Sequence, residues 1–274
     1  MQRDPDAARV LPAHLETGFI NPDYRGAQPL EWLKMSSEAI SPEIASELIF
    51  SPDVGIFTMA PEIPGGFDLL RAARKAGIRV SLGHSGATYE QAIEAIELGA
   101  NHATHLYNRM SPMTHRDPGL VGAVLEREEV AAEIICDGFH VHPAVARIAI
   151  AAKGPSRVMA ITDGTAGSGL ARGACTTLGG RRITVGDTAT LDDGTFAGSV
   201  ATMDRVFSML VTKAGQSLVD AATLCATTPA RELGLTTQGA IVPGHLADLV
   251  VLSSSLQVLQ TWVGGVRTQF PLRP

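Results

Sequence analysis

The 274 residues carry 45% hydrophobic and 18% charged side chains, enough apolar content for a large core and too much for a disordered chain. Against 28 acidic residues stand 22 basic ones, a net charge of −6 with no Lys/Arg run, so the electrostatic footprint of a nucleic-acid binder is missing. Three cysteines without CxxC spacing, no charged-then-apolar leader and no apolar run of the ~18 residues a membrane span needs argue against a disulfide scaffold, secretion and membrane insertion, and predict a cytoplasmic protein.

In chain order, Val10–Leu15 and Val54–Met59 read as buried strands. A helical stripe follows in Leu69, Leu70, Ala73 and Ala76, closed by Gly77; Ile78–Leu82 is the next strand. Tyr89, Ala92, Ile93 and Ile96 form a second stripe before Gly99, followed by strand candidates His102–His105 and Ala131–Ile135. Pro143 opens a third helix (Val145, Ile148, Ala149, Ala152) that stops at Gly154, and Val158–Thr162 is the sixth strand. Strands alternating with helices predict a parallel sheet.

From Gly164 to Gly198 the alternation gives way to Gly, Thr and Asp turns around β-prone pieces at Arg182–Val185 and Ala189–Leu191, read as a β-insertion at about 164–198. Helices resume at Met203–Lys213 and Leu218–Ala226. Ala247–Leu252 and Gln257–Val263, with Gly264-Gly265 as turn, read as strands of a separate small sheet. The expected boundary falls near Pro243, between a domain over 1–243 and C-terminal strands over 244–274.

Polar residues follow almost every strand: Glu16, Glu62, His84, His105, Asp137 and Asp163. A parallel (β/α)8 TIM-type barrel builds its site from such strand ends all round the ring, whereas a doubly wound sheet gathers ligands at one switch point. The pattern favours the barrel, and about six βα units make it an incomplete one, with strands expected before Met1. Glu16, His84 and His105 have the donor types of a catalytic metal site with an open position for water. Taken singly, a strand-end histidine is as well explained as a helix cap, and the weight lies in the three together. Asp163 suits a general base near such a metal, or else an N-cap. His140 could polarise a carbonyl or simply cap the helix after it, and Arg116, beside Asp117-Pro118-Gly119, could clamp an anion or lie solvated. His102, three residues before His105, is expected to face the core or a helix. There is no Gly-rich phosphate loop and no GxSxG elbow.

His14-Leu15-Glu16, Ala60-Pro61-Glu62, Gly83-His84-Ser85, Thr104-His105-Leu106-Tyr107-Asn108, Arg116-Asp117-Pro118-Gly119-Leu120, Asp137-Gly138-Phe139-His140, Thr162-Asp163 and Gly198-Ser199 occur in that order. Together with Pro243-Gly244-His245-Leu246-Ala247-Asp248, this succession resembles the N-acetylglucosamine-6-phosphate deacetylases of the amidohydrolase superfamily over nearly the whole chain. The resemblance implies an amidohydrolase barrel over 1–243, lacking the family's N-terminal portion, and C-terminal β-sandwich strands over 244–274. It implies one divalent metal ion on Glu16, His84 and His105, zinc first, with iron, cobalt, manganese or nickel as alternatives, and water activation by Asp163. It further implies substrate contacts from Ala27, Asn108, Arg109, Arg116, Asp137, His140, Phe196, Ala197 and Gly198. The implied partner is a phosphorylated amino sugar, bound by a homodimer in which the phosphate-binding arginine can come from the neighbouring subunit. The implied reaction yields glucosamine 6-phosphate and acetate. Three positions depart from the family pattern: Thr17-Gly18 where Gly-Pro is usual, Gln28 where a histidine is usual, and Arg109 where alanine follows the asparagine. Another amidohydrolase acting on a different amide, and a silent paralogue that only binds sugar phosphate, are the alternatives.

Overall fold

The first strand, β1 (Ala13–Leu15), lies beside β2 (Val54–Met59), and β3 (Arg79–Leu82), β4 (His102–Ala103), β5 (Ala131–Ile135) and β6 (Val158–Ile161) follow in the order of the chain. Each neighbouring pair is parallel. The structure is a computed structural model and describes residues 8–16, 18–33, 51 and 53–268. Its six-stranded sheet curls into a half-barrel, consistent with an incomplete TIM barrel.

Parallel strands need crossovers, and the helices supply them. Between β2 and β3 runs α1 (Gly66–Lys75), which buries Leu69, Leu70 and Ala73 and carries Asp68 in its first turn and Arg74 and Lys75 in its last, as the helix dipole favours. The next helix, α2 (Tyr89–Glu97), starts at a capping box: Thr88 Oγ1 accepts from Gln91 N at 3.3 Å and Gln91 Oε1 accepts from Thr88 N at 2.9 Å. After β4 comes α3 (Gly119–Glu126), and α4 (Pro143–Lys153) joins β5 to β6. Because helices cover it outside and side chains fill it inside, β5 is buried at all five positions, Glu133 included. Burying a side chain such as Leu82 or Ile134, both fully covered, contributes about 1.5–3 kcal/mol.

Two strands of this sheet, β1 and β4, reach only half their expected length. Val10 is 85% exposed, and pairing begins only at Ala13, whose N–H reaches Asp53 O at 2.6 Å; Pro12, just before it, has no N–H to offer a ladder. The strand expected over His102–His105 stops at Ala103 because the chain leaves the extended path: His105 has φ +30°. Beyond the sheet, α5 (Met203–Thr212) precedes α6 (Leu218–Ala222), which continues through a π turn at Thr223–Thr227 into α7 (Thr228–Glu232). Pro229 lies in the first turn of α7, where a missing N–H costs least, and the wider turn before it accommodates the ring. His102 is fully buried and faces α7, its Nε2 being 3.3 Å from Glu232 Oε2.

Residues 175–191 form an antiparallel sheet of β7 (Cys175–Leu178), β8 (Arg181–Val185) and β9 (Ala189–Leu191), with Ile183, Ala189, Leu191 and Ala197 as its own small core. The last sheet holds β10 (Leu249–Leu252), β11 (Val258–Val263) and β12 (Val266–Arg267), the turn between the latter two being Gly264-Gly265. Arg9 grips Asp248 through both guanidinium nitrogens at 2.6 and 2.9 Å, which attaches this sheet to the segment entering β1.

Candidate active site

Glu16 follows β1 directly, whereas His84, His105 and Asp163 each stand two residues beyond the last residue of β3, β4 and β6. Those three share a rarer property: their backbone is left-handed, with φ of +49°, +30° and +48°. A non-glycine residue held there costs about 1–3 kcal/mol, and such strain concentrates where a side chain must be aimed. Here it turns all three side chains into one cavity of about 530 Å³.

Glu16 Oε1 lies 2.8 Å from His84 Nε2 and 3.4 Å from His105 Nε2, and the two histidine nitrogens are 3.0 Å apart. The Nδ1 of His84 is 2.7 Å from Tyr24 O, which can only accept, so Nδ1 carries the proton. In the neutral ring Nε2 is then a lone pair aimed at a carboxylate oxygen and at a second imidazole nitrogen. Three ligand atoms converging in this way could hold a cation, and the Glu-His-His donor set suits zinc and other divalent transition metals.

The electrostatics are those of crowded buried charges. Burial pushes the Glu16 carboxyl up, but the His105 charge, and after it the close contacts with His105 and His84, outweigh it and hold Glu16 well below the usual range. Burial works to lower His105, yet Glu16 first, then Asp163 and Glu133, lift it to about 9. Asp163 is raised, by burial and then by the Glu16 charge. Glu133, inside the barrel, is pushed up to about 8, chiefly by burial.

On the far wall, His140 Nδ1 meets Asp137 Oδ2 at 2.7 Å, and the other oxygen of Asp137 accepts from the backbone N–H of Phe139 and His140, each at 2.9 Å. The His140 ring packs on Phe196, 4.9 Å between centroids. Gly198, at φ +71°, has no room for a side chain, since an added Cβ would meet Thr165 Cγ2 at 2.2 Å and Asp163 O at 2.7 Å; the insertion thereby closes directly over Asp163.

Residues 11–268 match the model of the amidohydrolase family. The chain belongs to the amidohydrolase family. This amidohydrolase is 38% identical over 256 residues to the N-acetylglucosamine-6-phosphate deacetylase of Bacillus subtilis, which covers 93% of this chain and 64% of that protein. It is 32% identical over 270 residues to the N-acetylgalactosamine-6-phosphate deacetylase of Escherichia coli O157:H7, covering 98% of this chain and 71% of that one. The crystal structure of N-acetylglucosamine-6-phosphate deacetylase from Pasteurella multocida superposes with a TM-score of 0.88 at 33% identity, over 95% of this chain and 68% of that chain. The amidohydrolase chain thus spans about two thirds of these relatives' length.

Of the expected site residues, Glu16, His84, His105, Asp163, Ala27, Asn108, Arg109, His140, Phe196 and Gly198 line the cavity. Asp137 stands behind His140, and Ala197 is buried in the core of the insertion between two lining residues. Arg116 is exposed on the loop before α3 and does not line the cavity. Thr17, one of the departures from the family pattern, lies outside the described residues. Gln28 donates to Glu16 O at 3.0 Å and so braces the backbone of a candidate ligand.

Several supporting residues escape a reading of the sequence. Thr104 Oγ1 is 2.7 Å from Thr58 Oγ1 and 2.6 Å from Ser81 Oγ, and His14 Nε2 is 2.6 Å from Thr58 Oγ1. These hydroxyls fill the barrel interior beside His105. A polar residue repeated at inward positions of successive strands was the available signal. Glu62, a strand-end carboxylate like Glu16, does not line the cavity: it accepts from Asn21 Nδ2, Gly86 N and Ser85 Oγ.

Proposed function

We propose that this chain carries the machinery that hydrolyses the N-acetyl amide of N-acetylglucosamine 6-phosphate, giving glucosamine 6-phosphate and acetate. The observation that carries the reading is the convergence of Glu16, His84 and His105 within 4.8 Å of one another, in a cavity that also holds Asp163 and His140. The deacetylases among the relatives indicate which amide is cleaved.

Glu16, His84 and His105 would hold a divalent cation, with zinc as the first choice over iron, cobalt, manganese or nickel, and that ion would supply Lewis acidity for water activation and carbonyl polarisation. Asp163 takes the proton from the attacking water at a carboxylate oxygen and returns it to the amide nitrogen as the C–N bond breaks. Its raised affinity for protons suits both halves of that task. With Nδ1 committed to Asp137, His140 meets the substrate through Nε2, which in the imidazolium form donates to the carbonyl oxygen. Phe196 holds the imidazole plane, and Asn108 and Ala27 line the sugar side of the cavity.

The barrel with its insertion over 1–243 houses this site, and 244–274 form the sandwich piece. A homodimer, in which Arg116 reaches a neighbour's cavity, and a cytoplasmic location belong to the same reading; no described helix is long and apolar enough to cross a membrane. The test is acetate release from N-acetylglucosamine 6-phosphate, with its galactosamine epimer and unphosphorylated N-acetylglucosamine in parallel, after loading with each metal in turn. Release from the phosphorylated gluco sugar first is expected. No release from any of the three with any metal overturns the reading.

A further inference from the structure

The floor beneath the candidate ligands is polar, where a barrel interior is ordinarily packed with Val, Ile and Leu. Thr58 on β2, Ser81 on β3 and Thr104 just past β4 are each 1% exposed or less. Their hydroxyls form one chain: Ser81 Oγ to Thr104 Oγ1 at 2.6 Å, Thr104 Oγ1 to Thr58 Oγ1 at 2.7 Å, and Thr58 Oγ1 to His14 Nε2 at 2.6 Å. When His14 Nε2 accepts, the hydroxyl protons serve every contact: Ser81 donates to Thr104, Thr104 to Thr58 and Thr58 to His14. Run the other way, the chain would leave the buried Ser81 proton without an acceptor in it. The ring proton of His14 then sits on Nδ1, which faces Glu133 Oε1 at 3.5 Å. Each part of this chain adjoins a candidate ligand. Thr104 precedes His105, and His14 stands two residues before Glu16. Gly83 precedes His84 and lies flat on the two threonines: a Cβ added there would meet Thr104 Cβ at 2.8 Å, Thr104 Oγ1 at 3.3 Å and Thr58 Cγ2 at 3.4 Å. The segments carrying all three ligands therefore rest on one pair of hydroxyls, and neither threonine lines the cavity.

We propose that Thr104, with Thr58, is a positioning residue of the metal centre: the hydroxyl pair holds Glu16, His84 and His105 at the spacing of one cation and thereby sets how tightly that cation is bound. The inference rests on the cation site of the proposed function and not on which amide is cleaved. Valine has nearly the shape of threonine and would fill the same floor. What the hydroxyl adds is direction, since a hydrogen bond fixes a side chain along one line and apolar burial does not. Neither threonine touches substrate or takes part in bond breaking.

The experiment titrates the full chain, freed of metal by chelation, with cobalt(II) and with zinc, in the parent protein, T104V, T104S, T58V and S81A. Visible absorption of cobalt reports ligand geometry, competition with a chelator gives affinity, and unfolding midpoints are taken with and without metal. T104V and T58V should bind about 10–100-fold more weakly than the parent, the range for partners outside the ligand set, with an altered cobalt spectrum. T104S keeps the hydroxyl and loses a methyl, so it should bind as the parent does even though its core is less well filled. S81A removes only the terminal donor and should weaken binding least of the three hydroxyl deletions. A purely structural role would lower the midpoints of the metal-free and loaded forms together, whereas positioning narrows the gap between them. Parent-like affinity and spectrum in T104V and T58V overturn the proposal, and so does a T104S that loses as much affinity as T104V. If T104V does not fold, T58V and T104S decide by the same criteria. A parent protein that binds neither metal overturns the proposal together with the cation site. A parent that releases no acetate, while T104V and T58V weaken its metal binding as expected, refutes the deacetylase reading and leaves the positioning role standing.

Discussion

Glu62 is expected to hold the loops of the site together rather than act in it, and its removal should show as lost stability. Its Oε1 accepts from Asn21 Nδ2 at 2.9 Å and Gly86 N at 2.6 Å, and its Oε2 accepts from Ser85 Oγ at 2.7 Å. Asn21 N also reaches His84 O at 3.0 Å, so this one carboxylate joins the segments that follow β1, β2 and β3. Glu62→Ala strands three part-buried donors, and at about 1 kcal/mol each the expected loss is about 3 kcal/mol. Glu62→Gln keeps an oxygen for Asn21 and Gly86, while its amide can donate to Ser85 Oγ once that hydroxyl turns away. The expected loss is then only about 1 kcal/mol. Urea unfolding measures both, and bound metal should drop in Glu62→Ala because His84 adjoins Ser85. A loss below about 1 kcal/mol for Glu62→Ala, or equal losses for the two variants, would refute the reasoning.

Removing a ligand should remove the metal: Glu16→Gln, His84→Ala and His105→Ala are each expected to weaken binding beyond the ~10–100-fold typical of supporting residues, seen as lost metal content and a lost metal-dependent rise in Tm. His140→Ala should lower kcat for acetate release by ~100–1,000-fold, the scale for a lost oxyanion donor, with a smaller fall for Asp137→Asn, which still accepts from the backbone. Glu232 is pulled from its ordinary 4.5 to about 2, first by its hydrogen bond to His102 and then, against the opposing effect of burial, by Arg231. Its folded-state pKa lies below the unfolded one, so the stabilisation is complete above pH 4.5 and disappears as the pH falls towards 2. Acid unfolding of Glu232→Gln should lose less stability across that window than the parent protein does.

The strands most legible in the sequence were those buried on both faces. Val54–Met59 and Ala131–Ile135 are dominated by apolar side chains, with Thr58 and Glu133 as the polar exceptions, and both are strands over the whole of those ranges. Helix α3 gave no such sign because Leu120, Val121, Ala123 and Val124 are all buried and leave no polar face to mark a period. The candidate ligands were visible as polar residues at strand ends, but Glu16 and Glu62 look alike in the chain. What separates them is which groups meet their oxygens in three dimensions. The left-handed backbone of His84, His105 and Asp163 has no sequence mark either, since it is imposed by the loops around them and not by the residue type. Arg116 sits in a recognisable motif, yet its distance from the cavity depends on the path of an exposed loop.

The nearest-neighbour order of the six strands has a bearing on how the protein is made. Every strand after β1 docks on one that the ribosome has already delivered, so the sheet can grow during synthesis without waiting for distant sequence. The Arg9–Asp248 clasp, spanning 239 positions, cannot form until the segment entering β10 has been made, which makes it a late fastening on a sheet already assembled.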